Sequence, residues 1–292
     1  MAGALIKLKE THLPNDSAMK ALTQQQLDCY LQRIGMVAPE TTDQAYLQQL
    51  FTAHLYHVPF ENLDIALDNG ISLSLPDLYH KIVENRRGGF CYELNYMFYQ
   101  LLTGLGYDAK MLAANVWSKD SYGPDFDHLL LQVSLCDQDF IVDVGFGDSF
   151  RTLVPLSGSS VDDGFNRYQL RQQHGFYVLR QTKVKGECFK QYKFTLTPYP
   201  ISAFNDMCVY QQTSPESHFS TSSVCTIANA TGRQTLSNGQ LIITKNGQKT
   251  RRDISDERDY RQVMLELFGM QLPSHIHPSR FHKLLFVPST DS

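Results

Sequence analysis

The hydrophobic period of the chain changes once. Through the first third, apolar residues recur at three- and four-residue steps: Leu27, Tyr30, Leu31 and Ile34, then Tyr46, Leu47, Leu50, Phe51 and Leu55. Such spacing lines one face of a helix and predicts helices packed on a common core. The segment CYELNYMFYQLLTGLGY continues the pattern with Leu94, Met97, Phe98, Leu101, Leu102 and Leu105, and Gly104 and Gly106 mark its end. After Tyr107 the period moves towards two. KMLAANVW, HLLLQVSL and DFIVDVGFG read as strands between polar connectors, followed by GFYVLRQ and QYKFTLTPY. In the last third VCTIANA precedes QTLSNGQLIITKNGQKTRRDI, where Asn238-Gly239 and Asn246-Gly247 have the residues of two-residue hairpin turns. A final helix is expected from about Asp256, N-capped by Ser255, to Gly269.

The pattern therefore predicts a helical first third, a β-rich middle and a smaller α/β end. A length of 292 residues agrees, since it exceeds the ~100 to 200 usual for one domain. The formal charge of -4, with no Lys/Arg block, offers no electrostatic footprint for nucleic acid or a membrane surface. The opening MAGALIKLKETHLPND has too short an apolar stretch for a signal peptide, and no apolar run approaches the ~20 residues of a membrane span. Six cysteines (Cys29, Cys91, Cys136, Cys188, Cys208, Cys225) lie far apart without a CxxC, which suggests neither a metal site nor a disulfide framework. A cytoplasmic protein with free thiols and no metal is expected.

Three short stretches change that neutral picture. In Arg86-Arg87-Gly88-Gly89-Phe90-Cys91-Tyr92-Glu93-Leu94-Asn95, a glycine pair delivers a cysteine to the first turn of a predicted helix. Unpaired N–H groups and the positive end of the helix dipole favour a thiolate there, and an imidazolium nearby would do more, so the thiol pKa is expected below its free value of ~8.5. The bland alternative is a small buried hydrophobe. Asp127-His128-Leu129-Leu130-Leu131-Gln132-Val133 places a histidine at the mouth of an apolar strand, as a base or as a structural residue. Ile141-Val142-Asp143-Val144-Gly145-Phe146-Gly147 buries an acid inside an apolar strand, which demands a partner. Orienting His128 would supply that partner, and backbone amides at a bulge would be the structural alternative.

Together they give the order Cys, His, Asp, a nucleophile on a helix start followed by two groups on successive strands, as in papain-like folds. One difficulty stands. A hairpin turning near Asp137-Gln138 sets Gly147 opposite His128 and leaves Asp143 four residues away at ~3.3 Å each, so a bulge, strong twist or different pairing is required.

These stretches, with VPFENLDI (Val58 to Ile65) and Phe204-Asn-Asp-Met-Cys-Val-Tyr210-Gln-Gln-Thr213-Ser214-Pro215-Glu-Ser217-His-Phe219, resemble the arylamine N-acetyltransferases over roughly residues 25 to 270. The resemblance implies an α+β, papain-like cysteine-nucleophile fold in three parts: a helical bundle over 1–105, a β-barrel over 106–212 and an α/β lid over 213–292. It implies that Cys91 accepts the acetyl group, His128 is the acid/base and Asp143 its orienter. By the same carry-over Phe60, Asp127, Phe146 and Phe204 face the amine, and Gly123, Tyr210, Ser214 and Ser217 contact coenzyme A. Glu61 and Asn62 brace the domain junction. Family members commonly carry Trp where this chain has Phe90, and the loop 118–127 departs from familiar forms. The lack of a long insertion after the middle domain suggests a bacterial-type member.

Acetyl-CoA as co-substrate, a small aromatic amine or hydrazine as acceptor, a role in xenobiotic metabolism and a monomer or homodimer follow from the resemblance. Mechanism is arguable without it. A Cys91 thiolate attacks a thioester, His128 protonates the leaving thiol, and an amine then discharges the acyl-enzyme while His128 removes its proton. Two other enzymes suit the triad: a thiol protease or transglutaminase-like enzyme, and an amide synthase of the same family. A binding module that keeps the fold without the chemistry is the non-enzymatic alternative.

Overall fold

The computed structural model describes residues 21–136, 138–148 and 150–285. The opening residues read above and the expected turn residue Asp137 lie outside them.

The first third is helical, for local reasons visible in the residues. α1 (Gln24–Arg33) starts at a capping box in which Thr23 and Gln26 satisfy each other's backbone N–H groups. α2 (Gln44–His57) starts at Asp43, whose Oδ1 accepts from Tyr46 N at 2.8 Å. A two-residue strand β1 (Phe60–Glu61) and the short helices α3 (Leu63–Ala66) and α4 (Leu75–Tyr79) follow, α4 running on as one π-helical turn over His80–Glu84. α5 (Cys91–Gly104) is almost wholly buried and ends where Gly106 takes φ +95°.

The middle is an antiparallel sheet of β2 (Asp108–Ser118), β3 (Ser121–Tyr122), β4 (His128–Leu135), β5 (Gln138–Val142), β6 (Val154–Pro155), β7 (Val161–Asp162), β8 (Asn166–Gln173), β9 (Phe176–Lys183) and β10 (Cys188–Pro198). Its order is β6-β5-β4-β2-β10-β9-β8-β7, with β3 off β2, and β6 comes back beside β8 so that the sheet nearly closes as a barrel. α5 lies against β2 and β4, and helices and barrel share one hydrophobic core.

A 3-10 turn over Ile201–Phe204 leads into α6 (Asn205–Thr213) and α7 (His218–Thr221). The second sheet is β1-β11-β12-β13-β14, made of β11 (Val224–Asn229), β12 (Gly232–Ser237), β13 (Gln240–Lys245) and β14 (Gln248–Asp253). Both Asn-Gly pairs are its hairpin turns, each with positive φ at Asn and Gly. α8 (Glu257–Phe268) and α9 (Pro278–Leu285) cover it around a second core. The α8 N-cap is Asp256, not Ser255: Asp256 Oδ1 accepts from Asp259 N at 2.9 Å, while Ser255 N donates to Asp259 Oδ2 at 3.0 Å. Phe60 pairs with Thr226 and Glu61 with Cys225, so the first third contributes a strand to the last third's sheet. Asn62 locks this junction, its amide donating to Phe219 O and Ser222 O and its oxygen accepting from Val224 N.

Candidate active site

Cys91 is the first residue of α5. The turn before it needs the glycine pair: a Cβ on Gly88 would stand 2.0 Å from the Pro59 carbonyl oxygen. Glu93 then reaches back, its Oε2 accepting from Phe90 N at 3.0 Å, which fixes the helix start.

His128 opens β4, opposite Ala114 of β2. The expected hairpin difficulty resolves in two ways. Leu135 faces Gln138 across the turn, and the ladder ends at Leu131 opposite Val142, so the register is two residues tighter than anticipated and pairing stops before His128. Asp143 has left the sheet, and the chain curls back towards His128. Gly145 allows the curl to press on α5, where a Cβ would meet Cys91 Cα at 2.8 Å and Asn95 Nδ2 at 2.6 Å.

The curl brings Asp143 Oδ2 to 2.8 Å from His128 Nε2. Its other oxygen accepts from Asn95 Nδ2 and from Gly145 N, both at 3.0 Å. Asn95 completes the brace, donating also to Leu129 O at 2.6 Å and accepting from Val144 N at 3.0 Å. Asp143 is fully buried and His128 nearly so. A carboxylate only accepts, so Nε2 of neutral His128 carries the proton and Nδ1 carries the lone pair. Tyr192 of β10 closes the far side: burial and the Asp143 carboxylate push its phenol well up, and its ring packs 5.4 Å from the His128 ring and 5.2 Å from that of Phe146.

The backbone just ahead of His128 is strained. Phe126 holds φ +61°, a left-handed conformation costly for a bulky residue by about 1 to 3 kcal/mol. Tyr92 Oη donates to the Phe126 carbonyl at 2.8 Å, and the Phe126 ring packs on Tyr199 and Phe204 at 4.9 and 5.3 Å. That packing aims Asp127 and His128 inward.

Electrostatics at Cys91 run against the expectation from the helix start. Burial pushes the thiol well up and the Asp127 carboxylate adds to it, while a hydrogen bond from the Leu129 backbone opposes them. A solitary thiolate is therefore disfavoured.

Behind the helix start lies a second charged cluster, sealed from the cavity although Lys81 and Arg87 keep some exposed surface. Arg87 Nη2 stands 2.7 Å from Glu61 Oε1 and 3.1 Å from Asp64 Oδ1, and Lys81 Nζ stands 2.7 Å from both Asp64 Oδ2 and Glu93 Oε1. Burial pushes Glu93 up to about 7 although Lys81 holds it down. In Asp64 burial is outweighed by Lys81 and Arg87, leaving its carboxyl down at about 2.

Cys91 and His128 open onto one cavity of about 670 Å³. Of the residues expected around it, Phe60, Asp127, Phe146, Gly123, Tyr210 and Ser217 line it. Two expected residues do not. Phe204 is fully buried beneath the wall, against Tyr92 at 5.7 Å as well as Phe126, so it shapes the cavity from behind. Ser214 stays in the α6–α7 turn, where its Oγ accepts from Glu216 N at 3.3 Å. Phe90 is also buried, edge-on to Tyr92 and Phe219.

Residues that sequence reasoning passed over include Asn95, Tyr192, Gln211 and Phe219. Asn95 had a signal, since it follows Cys91 by four residues and so shares its helix face. Tyr192 had none beyond a strand pattern. Among the described residues no group of three or more His, Cys, Asp or Glu is placed to hold a metal ion.

Chemically, the arrangement can take an acyl group onto sulfur and release it to a second nucleophile, as a cysteine-dependent acyltransferase does. Comparison with known proteins narrows this class. A family model described as N-acetyltransferase matches residues 43–276. The chain is 31% identical over 271 residues to the pineal gland arylamine N-acetyltransferase isozyme NAT-3 of Gallus gallus (84% of this chain, 93% of the relative). It is 30% identical over 279 residues to arylamine N-acetyltransferase 1 of Homo sapiens (86% and 96%). Among solved structures, the Mycobacterium smegmatis arylamine N-acetyltransferase superposes with TM-score 0.82 at 28% identity (89% and 98% covered). The Mycobacterium marinum enzyme in complex with CoA superposes with 0.77 at 28% (84% and 92%). The chain belongs to the arylamine N-acetyltransferase family, and it has that family's three-part α+β fold.

Proposed function

We propose that the protein acetylates arylamines and arylhydrazines by double displacement through an acetyl-Cys91 thioester, with acetyl-CoA as donor. The observation that carries this reading is the locked histidine: Asp143 occupies His128 Nε2 at 2.8 Å, leaving Nδ1 as the base for the cavity that Cys91 shares. The relative solved with CoA supports the choice of donor.

Proton transfer from Cys91 Sγ to His128 creates an imidazolium and thiolate together, which answers the penalty that burial and Asp127 impose on sulfur. The thiolate adds to the acetyl carbonyl, and coenzyme A leaves as a thiol with the proton from His128. One thioester replaces another, so the step is nearly balanced. Aromatic amines are unprotonated near neutral pH and suit the second attack, whereas alkyl amines are mostly ammonium. Phe60 and Phe146 flank the aromatic ring with Phe219, Phe204 supports them from behind, and Asp127 faces the amine. Gly123, Tyr210 and Ser217 line the path of the pantetheine arm, with Ser214 acting through the turn. In this reading the helical part spans 1–105, the barrel 106–212 and the lid 213–292, and the protein is a cytoplasmic monomer or homodimer. Its six free thiols, and the lack among the described residues of any helix long and apolar enough to cross a membrane, support that placement.

Intact mass after mixing with acetyl-CoA alone tests the proposal. One added acetyl group is expected on the wild type, none on Cys91→Ala, and its loss on adding an aniline. No adduct on folded wild-type protein would refute the mechanism.

A further inference from the structure

Asp127 sits where a carboxylate hinders one half of the reaction. It precedes His128 in the chain, lines the cavity with Cys91, and is the largest electrostatic opponent of the thiolate. It is nonetheless held in place from two elements. Gln211 Nε2 of α6 donates to its Oδ1 at 2.9 Å, and the Val116 backbone of β2 hydrogen-bonds to the same carboxylate. Gln211 is itself fixed by Ser217 Oγ, which donates to its Oε1 at 2.5 Å and to its carbonyl at 3.0 Å. The absence of a side chain at Gly123 makes the seat, because a Cβ there would stand 2.2 Å from Asp127 Oδ2. The other charged residues lining the cavity, Lys119, Glu216 and the titratable His218, are exposed, and Glu216 accepts from Tyr210 Oη at 3.4 Å.

The sign of the charge on the attacking atom differs between the two half-reactions. In the first, negative sulfur attacks and Asp127 repels it. In the second, a neutral nitrogen attacks and becomes positive as its bond to carbon forms. A fixed carboxylate lining the same cavity as Cys91 is placed to stabilise that developing charge.

We propose that Asp127 is the acceptor-side residue of the reaction, its carboxylate taking an N–H hydrogen bond from the incoming arylamine or arylhydrazine and stabilising the positive nitrogen of the addition step. The inference rests on Cys91 being the acetyl carrier. The nitrogen lone pair forms the C–N bond while the carbonyl π pair moves to oxygen. A nitrogen-bound proton passes to His128 Nδ1, the carbonyl re-forms, and the C–S bond breaks with its electron pair returning to Cys91 Sγ. The amide leaves and the imidazolium–thiolate pair is restored. An acceptor with two N–H bonds serves both groups at once, one facing Asp127 and one facing His128, so primary arylamines and terminal hydrazine nitrogens are preferred.

Single-turnover kinetics separate the halves. In Asp127→Asn, formation of acetyl-enzyme from acetyl-CoA should be unchanged or faster, while its discharge by aniline should fall about ten- to a hundredfold, the worth of one hydrogen bond to a charged group. Asp127→Thr gives the same comparison if the amide variant does not fold. Gln211→Met, which loosens the seat but leaves the charge, should slow discharge less than either. Equal slowing of both halves, or an unchanged discharge rate, would show that Asp127 only ties β4 to α6 and would overturn the proposal. If the wild type forms no acetyl-enzyme, the Cys91 reading has failed first and takes this one with it.

Discussion

Two buried charged clusters meet at the first turn of α5, and only one of them opens onto the cavity. In the sealed cluster, Glu61, Asp64 and Glu93 surround Lys81 and Arg87, and every contact is internal to the protein. In the open one, Asp143 spends its oxygens on His128, Asn95 and Gly145, while His128 and Cys91 face a cavity. Burying charge is expensive in both. The sealed cluster recovers that cost by tying β1, α3, the π-helical turn and the start of α5 together. The open cluster leaves the thiol under a standing penalty, and in the proposed mechanism ionisation together with His128 couples sulfur attack to proton transfer.

Each cluster can be disabled by a single substitution. Cys91→Ala should have the largest effect, lowering acetyl transfer by ~10⁴ or more while leaving the melting curve nearly unmoved. Asp143→Asn should come close to it, by ~10³ to 10⁴, since an amide at this position no longer enforces one His128 tautomer. Arg87→Met should do the opposite. Removing the cation leaves Glu61 buried without its main partner, at a cost of about 3 to 5 kcal/mol in unfolding free energy, with activity per folded molecule kept within a few fold. Denaturant unfolding paired with active-site titration would check this, and an inactive but fully stable variant would mean that the sealed cluster belongs to the chemistry.

Smaller effects sharpen the boundary. Asn95 donates to Asp143 and spans α5, β4 and the curl, so Asn95→Ala should lower turnover about ten- to a hundredfold together with a modest loss of stability. The least effect concerns pH. Asp64 is held at about 2, below the usual 3.8, so its stabilisation is complete above pH ~4 and lost as pH falls through 2. That contribution is about 2 kcal/mol at ~1.4 kcal/mol per unit. Asp64→Asn should flatten the acid limb of the stability profile in that range, as followed by urea unfolding at fixed pH values.

Much of the site was readable because local chemistry demanded it. A glycine pair before a cysteine and an acid within an apolar strand are both costly unless used, and the structure uses both. HLLLQVSL matches β4 residue for residue, and the Asn-Gly turns fell where only left-handed residues fit. The parts that escaped depend on partners distant in the chain. The β8 segment NRYQLRQQ is mostly polar and is a strand because β9 pairs with it along its length. Helix α9 follows a stretch with little pattern and is held by the second core. The Asp143 curl depends on where a ladder stops, which side-chain alternation does not encode. Phe204 was expected at the cavity wall from its match to the family pattern, yet side-chain packing sets it one layer back.

We attribute the acidity of Cys91 to His128 more than to the helix start. Measuring the rate of Cys91 alkylation by iodoacetamide against pH, in wild type and in His128→Gln, tests it directly. Thiolate-level reactivity in the wild type is expected well below the free thiol value of ~8.5, with the transition moved above that value in the variant. A variant that titrates like the wild type would contradict it and return the credit to the dipole of α5.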